Sequence, residues 1–231
     1  MISKIVKAFY PEVCPNCGRV VKDIVLCKDC KDSFKYIKNP ACAICGRPVD
    51  NESIYICGDC KITKHYFKRN LSTFEYRGDI KECIYRFKYA NMRCYAKFFA
   101  KLSYKRYRKI LMGWNLDAIV PVPMYRKKQR KRGYNQAEEF AKALSRETGI
   151  KTDSRLLIRR RDTVPMKTLS KQQREENLKK AFIVNKNREL PKRVLIVDDI
   201  FTTGSTLDAC AKALKKAGVE EVYGFCIASG V

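Results

Sequence analysis

Two adjacent aspartates, Asp198 and Asp199, lie between an apolar run and a hydroxyl-rich loop in the stretch VLIVDDIFTTGST at positions 194–206. The pattern predicts a buried strand that ends at the carboxylates, followed by a tight turn into a helix. Backbone N–H groups at such a helix start attract a phosphate, and neighbouring carboxylates accept hydrogen bonds from ribose hydroxyls. The stretch therefore predicts a pocket for a ribose 5-phosphate. The predicted phosphate loop consists of Thr202, Thr203, Gly204, Ser205 and Thr206.

Two other phosphate-binding patterns are absent from the sequence. No G-x4-G-K-[ST] run occurs, and no G-x-G-x-x-G run follows a strand pattern. The alternative to a ligand pocket is a strand, turn and helix with a purely structural role.

Eight of the twelve cysteines form four C-x2-C pairs near the N-terminus. A C-x2-C turn directs two thiolates to one metal ion, and two such turns complete a tetrahedral zinc site. The segment CPNCGR at 14–19 returns as CAICGRP at 42–48, which indicates a repeated module. We predict two zinc ions, with sequential or crossed pairing left open; buried free thiols or a redox pair are the alternative. The predicted ligands are Cys14, Cys17, Cys27, Cys30, Cys42, Cys45, Cys57 and Cys60.

The other four cysteines, Cys83, Cys94, Cys210 and Cys226, fall within apolar patterns and are expected to pack as small hydrophobic side chains. The only histidine is His65, five positions after the last predicted ligand. We expect it to be a partly exposed residue at the junction of two modules. With no histidine further along the chain, Ser-His-Asp catalysis is excluded from the larger domain.

The chain is strongly basic, with 49 Lys and Arg against 24 Asp and Glu and a formal net charge of +25. Two tetrathiolate zinc sites would lower this charge only to about +21. Such a field attracts polyanions and releases their counterions on binding, so nucleic acid is the first partner to consider. The alternative is a lysine-rich composition without a specific partner.

The apolar pattern argues against a membrane protein. No run of eighteen consecutive apolar residues is present, and the first residues lack the apolar core and cleavage site of a secretory signal. We expect a soluble, cytoplasmic protein without membrane insertion.

Apolar strands alternate with helical patterns after residue 115, which predicts a parallel sheet covered by helices on both faces. We predict an α/β fold in two domains, a zinc-ribbon module at 1–66 and a larger domain at 67–231. The predicted strands cover 71–76, 116–123, 193–199 and 221–228. The predicted helices comprise two within 79–111 and one each at 133–149 and 204–218.

Two basic stretches accompany these elements. The run RKKQRKR at 126–132 follows a predicted parallel strand as a basic loop, at the same sheet edge as Asp198. We expect it to form an electropositive rim for pyrophosphate, DNA or both; a solvated surface loop is the alternative. The helices within 79–111 mix lysine, arginine and tyrosine, a composition that binds phosphates and stacks on unpaired bases. A solvated face over an aromatic core is the alternative for these helices.

The stretch VLIVDDIFTTGST resembles the phosphoribosyl pyrophosphate (PRPP) motif of type I phosphoribosyltransferases. The resemblance implies that Asp198 and Asp199 hold the ribose hydroxyls, that the 202–206 loop holds the 5-phosphate, and that the 122–126 loop faces pyrophosphate with Mg²⁺. In purine-salvage members the position of Thr202 is often an aspartate that serves as a base. A threonine cannot abstract that proton.

A narrower resemblance, to the ComF family of competence proteins, covers nearly the whole chain. The basic stretch VPVPMYRKKQRKRGYNQAEEFAKAL and the double cysteine module carry it, together with RDTVPMKTLSKQQREENLKKAF; in the last of these, Met166 replaces the family's usual glutamine. It implies a cytoplasmic factor for natural transformation that binds incoming single-stranded DNA, keeps a phosphoribosyltransferase-like site, and works with a DNA-uptake translocase or helicase. In the stretch that begins VPVPMY the matching residues are Arg126, Arg130, Arg132, Gly133, Asn135 and Gln136. All of these except Gly133 are predicted to bind pyrophosphate or DNA. In the stretch that begins RDTVPM the matching residues are Thr163, Leu169, Arg174, Asn177, Ala181 and Phe182.

Three hypotheses follow from these features. The first is a DNA-uptake factor that binds single strands and has PRPP as ligand or donor. The second is a genuine phosphoribosyltransferase for an unidentified acceptor, and the third is a PRPP-sensing regulator. Steep salt dependence of oligonucleotide binding favours the first, pyrophosphate release the second, and PRPP-dependent preference for duplex DNA the third.

Overall fold

The computed structural model describes residues 12–22, 26–161, 178 and 181–230. Most of the resemblance segment at 161–182 therefore lies outside the described residues, including Thr163, Met166, Leu169, Arg174 and Asn177. The strands are β1 Asn70–Glu75, β2 Ala118–Pro121, β3 Leu157–Arg159, β4 Phe182–Val184, β5 Arg193–Phe201 and β6 Glu221–Ser229. The helices are α1 Gly58–Ile62, α2 Asp79–Tyr89, α3 Tyr95–Gly113, α4 Arg126–Arg132, α5 Gln136–Thr148 and α6 Ser205–Ala217.

In the described chain, the main sheet has the strand order β1-β6-β5-β2, and each neighbouring pair is parallel. The predicted α/β fold is thereby confirmed. A separate antiparallel pair, β3 with β4, was not predicted. Both of its strands are only three residues long, which is too short for a period-two pattern to stand out.

The central strand β5 is buried on both faces. Val194 and Ile196 face a cluster that contains Leu207 of α6, whereas Leu195 and Val197 face a cluster that contains Phe140 of α5. Side chains alternate between the faces of a strand, so a continuous apolar run fits only a sheet with helices on both sides.

Two elements differ from the predictions. The basic run Arg126–Arg132 is the helix α4 rather than a loop, because arginine, lysine and glutamine favour helix and Gly133 ends it with a left-handed backbone at φ 87°. Strand β5 continues past the aspartates to Phe201 instead of ending at Asp199.

The cysteine modules pack against the edge strand β1. The Asn70 N–H donates to the Ile44 carbonyl at 2.7 Å, and the Glu75 N–H donates to the Lys35 carbonyl at 2.8 Å. The edge of the sheet is therefore covered by the modules and hydrogen-bonded to them.

Three of the four remaining cysteines, Cys83, Cys210 and Cys226, are buried as predicted. Cys94 is exposed, so that prediction was wrong: it precedes α3, where its apolar neighbours Tyr95 and Ala96 turn inward instead. Within the described residues, no helix has both the length and the apolar character needed to cross a bilayer.

Candidate functional site

The eight N-terminal cysteines form two separate clusters. Cys14, Cys17, Cys27 and Cys30 make the first, and the second consists of Cys42, Cys45, Cys57 and Cys60. The pairs therefore combine sequentially, which spacing alone had left open. In each cluster the four sulfur atoms lie within 4.8 Å of one another.

The geometry of both clusters fits a zinc ion. Cys17 Sγ lies 3.6 Å from Cys27 Sγ, and Cys45 Sγ lies 3.7 Å from Cys57 Sγ. A tetrahedron with zinc–sulfur bonds of about 2.3 Å has sulfur–sulfur edges of about 3.8 Å. In this arrangement the eight sulfurs would be the metal ligands.

The chemistry of the thiols also favours a cation. Backbone and side-chain hydrogen bonds from Arg19 lower the pKa of Cys17 to about 6. Burial raises the pKa of Cys30, in the same cluster, to about 12. Four neighbouring thiolates require a positive charge among them, which a divalent ion supplies.

The predicted acidic pair is divided between the two faces of the sheet. Because side chains alternate along β5, Asp198 lies on the same face of the sheet as Ile196, and Asp199 lies on the same face as Val197. The Asp199 N–H donates to Asp198 Oδ1 at 2.8 Å. Burial, together with the neighbouring charge of Asp199, raises the pKa of Asp198 to about 7.

Asp199 is engaged on both carboxylate oxygens. Lys88 Nζ of α2 lies 2.9 Å from Asp199 Oδ1, and Gln136 Nε2 of α5 donates to Asp199 Oδ2 at 2.6 Å. Burial disfavours the charge of Lys88, but the charge and hydrogen bond of Asp199 outweigh it, so the pKa of Lys88 is raised. Lys88 is thus a site residue that sequence reasoning had assigned to a basic outer surface.

The hydroxyl loop lies beside Asp198. Asp198, Thr202, Gly204 and Thr206 line one small cavity at the carboxyl end of β5. Gly204 has a left-handed backbone at φ 80°, and a Cβ there would lie 3.0 Å from the Phe201 ring. Thr203 Oγ1 and Ser205 Oγ are 2.8 Å apart, so these two of the loop's four hydroxyls are hydrogen-bonded to each other. The structure therefore brings Asp198 and part of the loop together, whereas their binding of a ribose phosphate stays a prediction.

Asn135 and Gln136 are both buried and make internal hydrogen bonds. The Asn135 side chain caps α5 by accepting from the Ala137 N–H at 3.1 Å, and its amide donates to the Val122 carbonyl at 3.0 Å. This residue fixes the predicted pyrophosphate loop at 122–126 to the start of α5. Direct contact of either residue with pyrophosphate or DNA stays a prediction.

Helix α4 borders this site through Arg132 at its last position. Arg126 and Arg130 are exposed, whereas Arg132 is half-buried and donates to Gln136 Oε1. The Arg132 guanidinium also lies 4.8 Å from the ring centre of Tyr89 on α2. A chain of contacts therefore runs from the Tyr89 ring through Arg132 and Gln136 to Asp199.

The aromatic residues of α2 and α3 divide into two groups. Tyr85 and Tyr89 are 54% and 58% exposed, with ring centres 4.9 Å apart. Tyr95 is buried, and the Tyr107 hydroxyl donates to the Ser72 carbonyl at 2.8 Å. For these latter tyrosines the alternative of an aromatic core is the better description.

His65 occupies the predicted junction, but its side chain is only 5% exposed. Its Nδ1 lies 2.6 Å from Asp208 Oδ2, and its Nε2 lies 3.4 Å from Cys60 Sγ. The burial of His65 could not be predicted from the sequence, because its partner Asp208 lies 143 positions further along the chain.

The fold and the site define a phosphoribosyltransferase domain joined to a double zinc ribbon. The double zinc ribbon domain family matches residues 5–61, and the phosphoribosyl transferase domain family matches residues 94–230. Competence protein F of Haemophilus influenzae is 35% identical over 202 residues, which cover 85% of this chain and 87% of that protein. The chain belongs to the ComF family of competence proteins.

Two further relatives have similar coverage. The DNA utilization protein YhgH of Escherichia coli K12 is 29% identical over 208 residues, covering 87% of this chain and 89% of that protein. Competence protein ComFC of Bacillus subtilis is 26% identical over 204 residues, covering 85% of this chain and 80% of that protein. Both domains thus fall within the compared length of these relatives.

Proposed function

We propose that this protein acts in the cytoplasm in natural transformation, where it binds single-stranded DNA and carries a site for PRPP with Mg²⁺. The names of its relatives, competence protein and DNA utilization protein, support the process. We keep the division at residue 66, between a zinc-binding module that holds two zinc ions and a PRPP-binding domain, as part of this proposal.

One observation carries the DNA part of the proposal. Tyr85, Tyr89 and Arg132 form a surface that we call the aromatic platform, with two exposed rings 4.9 Å apart and a guanidinium 4.8 Å from one of them. Exposed aromatic rings stack on unpaired bases whatever their identity, and adjacent arginines bind the phosphates between them. The exposed basic side chains of α4 extend the same surface.

The PRPP part rests on the cavity beside β5. Asp198 lines that cavity together with Thr202, Gly204 and Thr206 of the loop. This supports a site in which a carboxylate for ribose hydroxyls would lie beside a loop for the 5-phosphate. Asp198 and Asp199 would accept from the ribose hydroxyls, and Mg²⁺ would neutralise the pyrophosphate near the 122–126 loop. The raised pKa of Asp198 implies that a bound cation also helps to ionise it.

The two ligands would share a border. Arg132 contacts the Tyr89 ring and also donates to Gln136, which in turn donates to Asp199. Two polyanions compete for one set of cations, so PRPP at the acidic site weakens DNA binding at the platform.

Fluorescence anisotropy with a labelled poly(dT) oligonucleotide tests the platform. Replacing Tyr85 and Tyr89 together by alanine removes two stacking partners, each worth about 1–3 kcal/mol, so affinity falls by at least tenfold. The salt dependence stays near that of the wild type because no phosphate contact is removed.

Tyr55→Ala is the matched control, since Tyr55 is 74% exposed but belongs to the second cysteine module. We expect it to leave affinity within about twofold of the wild type. An unchanged affinity in the Tyr85/Tyr89 double variant, or an equal loss in the control, contradicts the assignment of the platform.

A genuine phosphoribosyltransferase is the second candidate, and the intact cavity beside Asp198 favours it. Thr202 is exposed at the mouth of the loop, where a base in purine-salvage members would stand. Release of pyrophosphate from PRPP in the presence of oligonucleotides or nucleobases, dependent on Asp198, supports this activity. No release above the rate of an Asp198→Asn variant excludes it for those acceptors.

A further inference from the structure

His65 lies between the second cysteine cluster and the helix that follows the phosphate loop. Its Nε2 is 3.4 Å from Cys60 Sγ, and its Nδ1 is 2.6 Å from Oδ2 of Asp208 in the first turn of α6. The other Asp208 oxygen accepts from the Tyr66 N–H at 2.9 Å. Two contacts thus join the segment after the cluster to the start of α6, and a third joins His65 to the cluster itself.

The same histidine also contacts the phosphate loop directly. A Cβ on Gly204 would lie 3.6 Å from His65 Cε1, so the imidazole ring lies against the backbone of the loop. The Asp208 N–H donates to the Gly204 carbonyl at 2.8 Å, which fixes the far side of the same glycine. A shift of the His65 ring would therefore change the packing around the backbone of Gly204.

The His65 ring also packs against aromatic side chains at the base of the loop. His65 stacks on Phe67 with ring centres 4.6 Å apart, and Phe67 meets Phe201 edge to face at 6.3 Å. Phe201 is the last residue of β5, immediately before the loop. The loop is therefore enclosed by the histidine on one side and by the phenylalanine pair at its base.

The first cysteine cluster has no such connection among the described residues. Its segment is attached to α2 instead, where Asn16 Nδ2 donates to Asp79 Oδ2 at 2.6 Å and Arg86 donates to the Asn16 carbonyl at 2.8 Å. The two clusters are alike in ligand chemistry but contact different parts of the larger domain, so their effects on the loop are separable.

We infer that His65 is a positioning residue that fixes the 202–206 loop to the second cysteine cluster, so that metal binding by that cluster, and not by the first, orders the loop for its phosphate ligand. Groups just outside a metal's ligands commonly hold those ligands in place. Here such contacts extend from Cys60 through His65 to Asp208, and His65 also lies against Gly204 of the 202–206 loop. The inference rests on the proposed PRPP site for the identity of the ligand, but not for the ordering of the loop.

Hydrogen exchange read by mass spectrometry tests the ordering without any ligand. In His65→Gln we expect exchange in the peptide at 201–208 to be at least tenfold faster, while elemental analysis finds the same zinc content as in the wild type. Cys57→Ser with Cys60→Ser should give the same acceleration, whereas Cys14→Ser with Cys17→Ser should leave that peptide at the wild-type rate.

Calorimetry with PRPP and Mg²⁺ adds the functional readout. We expect His65→Gln to bind PRPP at least tenfold more weakly and the first-cluster variant to bind it as the wild type does. If the wild type itself binds no PRPP, the proposed ligand is wrong, and the exchange experiment still decides the inference.

Three results overturn the inference. One is wild-type exchange at 201–208 in His65→Gln with full zinc content. Another is equal acceleration by the two cluster variants, which would make the effect global. The third is loss of zinc from His65→Gln, because the histidine would then support the metal site and not the loop.

Discussion

Replacing Lys88 with methionine tests the ion pair at the acidic site, since methionine keeps much of the length of lysine but removes the ammonium group. Lys88 Nζ lies 2.9 Å from Asp199 Oδ1, and the two side chains are 19% and 7% exposed. At that distance two unit charges attract by about 6 kcal/mol at an effective dielectric constant near 20. Desolvation offsets part of this, and removing one partner of a buried pair costs about 3–5 kcal/mol.

Proton uptake sets an upper limit on the loss. Protonating an ordinary aspartate carboxyl costs about 4 kcal/mol at pH 7 and about 1.5 kcal/mol at pH 5, which is the reference cost of neutralising a carboxylate that has lost its cation. We therefore expect Lys88→Met to lower the free energy of unfolding by about 3–4 kcal/mol at pH 7 and by at most about 1.5 kcal/mol at pH 5.

Lys88 keeps its positive charge at both pH values in the wild type. Asp199 raises the pKa of Lys88 against the opposing effect of burial. A raised lysine pKa stabilises the fold fully below the ordinary value of 10.5, and this stabilisation is lost only as the pH rises through the folded value. The difference between pH 7 and pH 5 therefore reports the carboxylate in the variant and not the lysine in the wild type.

Urea unfolding in zinc-containing buffer at both pH values is the assay. Lys81→Met, on the exposed face of the same helix, is the control and should stay within about 0.5 kcal/mol of the wild type. Combining Lys88→Met with Asp199→Asn removes the unpaired charge and should recover most of the loss. Two results argue against a stabilising ion pair between Lys88 and Asp199. One is a Lys88→Met variant as stable as Lys81→Met at pH 7, and the other is a loss of unfolding free energy at pH 5 equal to the loss at pH 7.

Three further predictions concern the rest of the molecule. Because burial raises the pKa of Asp198 to about 7, its ionisation destabilises the fold as pH rises from about 4 to 7; Asp198→Asn should melt above the wild type at pH 8 and with it at pH 4, and the opposite order contradicts the burial argument. Replacing Arg126, Arg130 and Arg132 by glutamine should reduce the log–log salt slope of single-strand binding by roughly 0.7 per lost phosphate contact, and an unchanged slope moves the DNA site elsewhere. Elemental analysis of anaerobically purified protein should find two zinc ions per chain, and a content near zero excludes both metal sites.

The parallel sheet was predictable because its strands are buried on both faces. The runs around Ile119, Val194 and Val222 are continuously apolar, which is the pattern that this burial demands. The cysteine clusters were predictable for a different reason, since the C-x2-C spacing reflects the geometry of the metal site itself.

Contacts between distant segments could not be predicted in the same way. Lys88 looked like one of many surface lysines, because only the assembled fold brings it to Asp199. Helix α4 was missed because a run of charged residues has no apolar period, although Gly133 at its end was a readable stop signal. Side chains alternate along a strand, so Asp198 and Asp199 lie on opposite faces of the sheet. This placement was missed because the predicted strand ended at the aspartates, whereas β5 continues to Phe201.

The most direct test of the proposed function is the anisotropy of a labelled single-stranded oligonucleotide bound to the wild-type protein, measured with and without saturating PRPP and Mg²⁺. We expect binding that weakens steeply with salt and falls by at least tenfold in the presence of PRPP, because Arg132 borders both proposed sites. The loss of DNA affinity caused by PRPP and Mg²⁺ must exceed the loss caused by a chloride salt at the same ionic strength. No binding, or binding that PRPP leaves unchanged, would contradict the account.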